Sequence, residues 1–355
     1  MLLTLSGLVS ISFDLDIRNT MLLIFFSTIG LNAKVSALRR GGKALVLLVL
    51  LCGVYLVLQN AVGVSTMLVA GEPGIWGLFA GSIALAGGHG TAIAWGESAA
   101  AEAGGVAEFG IAVATFGLIA GGVLGGPLAS RLINQFKLVA PDEEKFTRLE
   151  TEEVTQESVK EAHFVPKLVS IDDVIGTVLA LALCLGLGDA VNRYLFSFSI
   201  RLPGFLTAMA IGVVITNLAD PLKLKMRHNA LDLIGGVCLQ LFLVMSLMSL
   251  DLLSLVSSLH LLLLVMLLQC TAVLLFTRFV VFPLMGRDYD SAVMSAGFVG
   301  IMLGATPVAV ANMDAVSGKY GASAKALLVV PLVGSFFIDL LNGATLGFFT
   351  ALPFM

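Results

Sequence analysis

The feature that most constrains this chain is a series of long stretches that carry no formal charge. Residues 44–71, 109–130, 202–219, 233–250 and 252–277 contain none, and 326–355 contains only Asp339. A helix needs about 20 apolar residues to cross a hydrocarbon core of about 30 Å, and in lipid only a helix or a closed barrel satisfies its own backbone. These stretches therefore read as membrane-spanning helices. The shorter runs 19–33 and 174–188 join them once flanking residues that can snorkel are counted. Composition agrees, with 58% hydrophobic residues, 38 glycines and only 12% charged residues, too little polar side chain to cover a water-facing surface. The expected fold class is an all-α polytopic membrane protein solvated by the lipid bilayer. A net charge of −4 offers no basic footprint for nucleic acid. Cys52, Cys184, Cys238 and Cys270 lie in apolar runs without CxxC spacing, which points to neither a disulfide framework nor a zinc site.

Two further uncharged stretches, 73–96 and 291–313, are rich in Gly, Ala and Ser and are broken at Gly87-Gly88 and at Thr306-Pro307. Such interruptions suggest re-entrant hairpins, expected at about 75–97 and 291–317. Positive charge discriminates, because a hairpin returns to its own side whereas a span inverts every later loop. With both stretches re-entrant, only Arg18, Arg193 and Arg201 of the 20 Lys and Arg fall outside, leaving 17 inside. If both crossed, the split would be 8 inside to 12 outside; if only the second crossed, 15 to 5. The count supports the first hairpin more strongly than the second.

Residues 137–173 hold ten of the 24 acidic residues and few large apolar ones, as a solvated connector does. The chain divides accordingly into an N-terminal repeat over 1–136, a charged cytoplasmic linker over 137–169 and a C-terminal repeat over 170–355. Phe25-Phe26-Ser27-Thr28-Ile29-Gly30-Leu31 faces Phe242 to Met248 at an offset of 217, and Gly88 to Ala94 faces Gly304 to Val310 at 216. Each half runs span, loop, long span, hairpin, long span. The second half has two additional spans, at about 170–190 and 202–219, whose partners would precede Met1. The expectation is that the chain is short by about 45 residues, two helices' worth. With these restored, each half holds five spans and a hairpin, and an odd number inverts the repeats.

Inverted repeats with a broken apolar hairpin in each half point to a secondary transporter whose site lies where the tips meet. Broken helices expose free N–H groups at one end and free C=O groups at the other, giving anion and cation sites without full charges in lipid. Candidate substrate-binding residues are Gly88, His89, Gly90 and Thr91 on the first tip, and Thr306, Pro307 and Asn312 on the second. Candidate ion ligands are Gly304, Asp339, Asn342 and Asn32. Asp339 is the lone acid of a 30-residue apolar stretch, and an intramembrane acid is a functional candidate by default, although pairing with Asn342 or Lys325 would make it structural. Asn32, near Gly30 at the end of a short span, reads equally as a helix C-cap or an ion ligand. His89 is either a satisfied structural imidazole or a titrating group. No H-E-x-x-H, G-x-S-x-G or P-loop motif is present, so enzyme readings lose to a carrier, and no transition-metal spacing exists. A channel built from paired re-entrant loops is the competing class.

These residues also resemble the bacterial glutamate:sodium symporter (ESS) family. The resemblance is carried by Phe25 to Ala33, Gln59-Asn60-Ala61, Ser82-Ile83-Ala84-Leu85-Ala86-Gly87-Gly88-His89-Gly90-Thr91, Ala114 to Leu118, Leu303-Gly304-Ala305-Thr306-Pro307-Val308-Ala309-Val310-Ala311-Asn312-Met313, and Val330-Pro331 through Asp339. It covers about residues 19–353. The resemblance implies a ten-helix fold of two inverted halves with one pore loop each, and sodium-driven glutamate uptake across the inner membrane. It leaves the C-terminus outside, names L-glutamate and Na⁺ as partners with no other cofactor, and leaves a second copy of the chain as a candidate partner. The chain departs from the family in its first two helices and after Gly297. There Phe298-Val299-Gly300-Ile301-Met302 stands where a more polar, His- and Cys-containing segment is expected. The residues alone keep H⁺ coupling, aspartate or another dicarboxylate open. One co-transported Na⁺ would cancel the single negative charge of glutamate, which otherwise costs about 2.3 kcal/mol per 100 mV to bring into an inside-negative cell.

Overall fold

The computed structural model describes residues 15–33, 42–99, 105–140, 170–197, 203–219, 228–248 and 259–352. The charged linker expected over 137–169 lies outside the described residues from position 141 onward. Among the described residues the protein is helical throughout, with no strand. The elements in chain order are α1 (Leu15–Asn32), α2 (Gly42–Ala70), α3 (Gly74–Phe79), α4 (Gly88–Ala99), α5 (Val106–Phe136), α6 (Ile171–Phe196), α7 (Gly204–Ala219) and α8 (His228–Met248). They continue with α9 (Leu259–Leu284), α10 (Tyr289–Leu303), α11 (Thr306–Tyr320), α12 (Ala324–Leu332) and α13 (Ile338–Thr350). A π-helical turn at Thr277–Val281 interrupts α9, and another at Val333–Phe337 joins α12 to α13.

Among the described residues four helices, α2, α5, α6 and α9, are long and apolar enough to cross a membrane, and α12 with α13 makes a fifth if the bent pair is one span. Their outward faces are apolar: Leu50, Val54, Leu183, Leu187, Leu267 and Phe279 are exposed, as lipid-facing side chains are. By contrast α10 is buried on every face from Ser291 to Leu303. Its 15 residues rise about 22 Å, less than a bilayer core.

Close helix packing in lipid relies on small residues, because lipid is as apolar as the side chains and only approach distance distinguishes partners. The elements sort into two groups on this basis. In one, α1, α6, α7 and α8 pack together. A Cβ on Gly30 would strike the Met209 carbonyl, one on Gly188 would strike Ala208, and one on Gly235 would strike Thr28. In the other, α2 to α5 and α9 to α13 surround α10. The groups touch along a narrower seam, where Phe205 of α7, itself packed on Phe26 of α1 at 4.5 Å, meets Trp95 of α4 edge-on at 6.2 Å, and Leu206 fills the space opposite Gly343.

The glycine pairs of α5 show how specific this approach is. Gly117, Gly121 and Gly125 form one stripe at i, i+4 spacing, against Leu303 for the first two and against Asn312 and Ala296 for the third. Gly126, one residue on, has nothing within 4 Å of where its Cβ would stand. Gly125→Ala should therefore destabilise the detergent-purified protein by about 1–3 kcal/mol through overpacking. Gly126→Ala should be neutral or stabilising by up to about 1 kcal/mol, from helix propensity alone. Thermal unfolding of the two variants side by side checks this, and equal melting temperatures would show that the stripe does not set the α5–α10 approach.

Candidate functional site

Two breaks in the helical ladder meet inside the larger group. The first lies between α3 and α4. The chain leaves α3 at Phe79 and runs through turns to Gly87, with the Gly87 N–H donating to the Ser82 carbonyl at 2.9 Å and the Gly88 N–H to Ala84 at 3.0 Å. Gly88 then opens α4 with φ +68°, a left-handed conformation that L side chains rarely adopt. The return places Phe79 against Gly96 and Gly110. The second break is only Gly304 and Ala305. Gly300 faces Ala309 and Gly297 faces Met313, so α10 and α11 form an antiparallel hairpin. Here the sequence places the break at Thr306-Pro307, but both residues lie within the first turn of α11. Pro307 costs nothing there, because the first N–H groups of a helix have no intrahelical partner.

The two tips touch. A Cβ on Gly88 would stand 3.9 Å from the carbonyl oxygen of Gly304, and Gly304 is backed by Leu118 of α5. The N-terminus of α11 has no side-chain cap, its N-cap being Ala305 in extended conformation, so its free N–H groups are open to a negatively charged ligand. Around this junction His89 is half-buried, Thr91 is buried and Thr306 lies against Gly334 of the second π turn. Thr115 donates its hydroxyl hydrogen to the Ile111 carbonyl at 2.9 Å and so accepts from His89 Nε2–H at 2.9 Å, which leaves Nδ1 as the acceptor of the ring. Gly90 lies opposite Phe25 of α1 and Leu239 of α8, on the seam between the two groups.

Other candidates are placed differently. Asn312 is buried, and its amide nitrogen donates to the Gly121 carbonyl at 2.9 Å and to Ala296 at 3.4 Å, tying α11 to α5 and α10. Asn342 is buried behind the first break, where its amide nitrogen donates to the Ser82 carbonyl at 3.1 Å. Asp339 lies one turn before it, on the same face of α13. Asn32 belongs to the other group of helices and donates to Asp232 at 2.7 Å. It stands seven residues beyond Phe25, about 10 Å of helix rise from the level of the first tip. The structure thus brings Gly88 to Thr91 and Gly304 to Thr306 together, sets Asn342 and Asp339 behind them, and puts Asn32 elsewhere.

Three fully buried residues that sequence reasoning did not assign to the site lie at its back. The Gln59 amide nitrogen donates to the Met302 carbonyl at 2.7 Å, and Gln269 donates to the carbonyls of Gln59 and Ala80, each at 2.9 Å. Asn60 accepts from the Ser82 N–H at 2.8 Å. The available signal was their position: Gln59-Asn60 and Gln269 are carboxamides in the middle of otherwise apolar spans, where an unpaired polar group is costly. Among the described residues no three His, Cys, Asp or Glu come together as a metal-binding group. The assembly of uncapped helix ends, hydroxyls, one imidazole and amides suits non-covalent capture of a small charged molecule, the Thr115 hydroxyl beside His89 being spent as a donor on the Ile111 carbonyl.

Comparison with known proteins gives one consistent match. The family model for the sodium/glutamate symporter matches residues 1–322. The chain is similar to the sodium/glutamate symporter of Haemophilus influenzae, 38% identical over 343 residues that cover 95% of this chain and 83% of that protein. It is likewise similar to the sodium/glutamate symporter of Escherichia coli, 36% identical over 349 residues, covering 97% and 84% respectively. No solved structure matches.

The geometry at Asn312 has a stability consequence. Asn312→Ala removes the donor that ties α11 to the Gly121 and Ala296 carbonyls; both keep their intrahelical partners, so the loss should be about 0.5–1.5 kcal/mol, the net worth of a hydrogen bond. Thermal unfolding in detergent without ligand measures it, and an unchanged melting temperature would mean that the amide is free for another partner.

Proposed function

The chain belongs to the sodium/glutamate symporter family and carries out sodium-coupled glutamate transport; we propose that it does so by alternating access at the junction where Gly88 meets Gly304. It is a multi-pass membrane protein and not an enzyme. In this reading the substrate carboxylates lie at the uncapped N-terminus of α11 and the start of α4, with Thr91 and Thr306 offering hydroxyls and His89 an imidazole. No Lys or Arg lies between Gly74 and Ala99, so neutral dipoles and a co-bound cation carry the charge. Asp339 balances the substrate amine or Na⁺.

The meeting of the two tips is the observation that carries this reading. Two broken helices converging on one point make a single binding site, and an inverted arrangement of the halves lets it open to either side. Element order supports the inverted arrangement: α2 and α9 begin 217 residues apart, and α4 and α11 begin 218 apart. Gln59 lies beside Gln269 while Tyr55 lies beside Phe276, so these corresponding helices run antiparallel, as inverted repeats require. The seam where Phe205 meets Trp95 is where one group of helices would shift against the other. The 17 to 3 charge distribution supports an inner-membrane protein with its linker on the cytoplasmic side and its C-terminus outside. A homodimer would use the exposed apolar face of α6 or α9.

Uptake of radiolabelled glutamate into proteoliposomes, with Na⁺ and pH gradients imposed separately, tests the coupling. Uptake that follows the pH gradient and ignores Na⁺ would turn the reading towards His89 as a proton carrier, and flux that does not saturate would indicate a channel. Asp339→Asn should raise the Na⁺ or glutamate concentration for half-maximal uptake about tenfold or more while the protein still inserts. Single cysteines replacing Thr91 and Thr306, on a background lacking Cys52, Cys184, Cys238 and Cys270, should react with impermeant thiol reagents from opposite membrane faces. Substrate should protect both, and labelling of both from one face would end the inverted-repeat reading.

A further inference from the structure

The buried carboxamides behind the first break have a specific deficit. Gln59, Gln269 and Asn342 each turn their nitrogen towards backbone carbonyls, Met302 for the first, Gln59 and Ala80 for the second and Ser82 for the third. An amide flipped the other way would set oxygen against oxygen, so the orientation of all three is dictated by their partners. Their side-chain oxygens are consequently left over. Gln59 Oε1, Gln269 Oε1 and Asn342 Oδ1 are buried and accept no hydrogen bond among the described residues. The Ser82 hydroxyl is also buried and unpartnered, while its backbone is held at both ends, its N–H by Asn60 and its carbonyl by Gly87 and Asn342. These residues are 0–2% exposed.

Four buried oxygens without a partner lie in one hydrogen-bonded network, and leaving such an atom unpaired is costly. Donors remain in the network, one N–H each on Gln59 and Asn342, the Asn60 amide and the Ser82 hydroxyl, but none of them reaches these four oxygens. One cation within reach of all four would relieve them together. We propose that Gln59, Ser82, Gln269 and Asn342 form a binding site for a monovalent cation, seated between α2, α9, α13 and the turn that precedes Gly88. Neutral oxygens suit a single charge, since a divalent ion gives up far more hydration than they return. Asp339, one turn from Asn342, supplies one nearby formal charge. The proposal rests on the symporter reading and deepens it, by assigning Na⁺ a place distinct from the tips that take glutamate.

Ser82→Ala is the decisive variant because it removes only an unpartnered oxygen and breaks no recorded hydrogen bond. The full chain is purified in detergent and its melting temperature is followed as NaCl replaces choline chloride at constant ionic strength. Without Na⁺ the variant should melt at or above the wild-type temperature. The Na⁺ concentration giving half the maximal stabilisation should rise at least tenfold, and Na⁺ dependence of uptake should shift with it. Gln269→Met should show the same weakened Na⁺ response from a lower starting temperature, since it leaves the Ala80 carbonyl without its donor and removes a bond to Gln59. If Ser82→Ala titrates with Na⁺ as the wild type does, the cluster is a polar packing element and the proposal is overturned. If wild-type uptake itself ignores Na⁺, the symporter reading has failed, and this site falls with it.

Discussion

Backbone polar groups cannot be left open inside lipid, and this constraint governs the structure around its two broken helices. A continuous helix satisfies itself, whereas each break exposes carbonyls and N–H groups where no water can repay them. The protein meets the demand at the first break with side-chain amides from distant helices: Gln269 takes the Ala80 carbonyl, Asn60 the Ser82 N–H and Asn342 the Ser82 carbonyl. At the second break, Gln59 takes the carbonyl of Met302. The same α2 segment, Gln59-Asn60, therefore supports both tips, one residue for each. This explains how two breaks separated by more than 200 residues are held at a fixed distance from one another.

Close approach is the second requirement, and glycine meets it. α5 can lie along the second hairpin only because Gly117, Gly121 and Gly125 present no side chain to Leu303, Asn312 and Ala296. The two groups of helices differ in what joins them. Within each, backbone approaches backbone through Gly30, Gly188, Gly212 or Gly300, whereas the seam between them is met by side chains: Phe205 on Trp95, Leu206 opposite Gly343, and Phe25 and Leu239 opposite Gly90. Side-chain contacts of this kind repack at modest cost, while interlocked backbones do not. The seam is accordingly the surface along which relative movement is easiest.

Much of this was legible in the sequence, for identifiable reasons. A lack of charge over 20 residues has one structural meaning, so the helical membrane class followed at once. The breaks were legible because Gly87-Gly88 and Gly304 to Pro307 combine the residues that end and begin helices. Their detail was not: nothing local distinguishes Pro307 at a break from Pro307 in the first turn after it. Asn312 was assigned to the tip by its nearness in sequence, but its amide is spent on Gly121 and Ala296. The role of Gln59 was invisible because its acceptor is 243 residues away. Grouping of α1 with α6, α7 and α8 was equally hidden, since every helix is apolar and its glycines do not say which partner they admit.

The two kinds of site described here share one piece of backbone. Ser82 offers its hydroxyl to the proposed cation, and its carbonyl receives both Asn342 and the Gly87 N–H. Gly87 leads directly into Gly88, which meets Gly304. An ion at the proposed site, by fixing Gln269, Asn342 and Ser82, would also fix the turn that leads into the proposed substrate tip, without touching the substrate. Under this proposal the tip, ordered in advance, would no longer have to be ordered by glutamate, and glutamate would bind more tightly with the ion in place. Reciprocity then requires glutamate to tighten the ion by the same factor. A carrier built this way disfavours carrying either cargo alone, which is the thermodynamic requirement for coupling one gradient to the other.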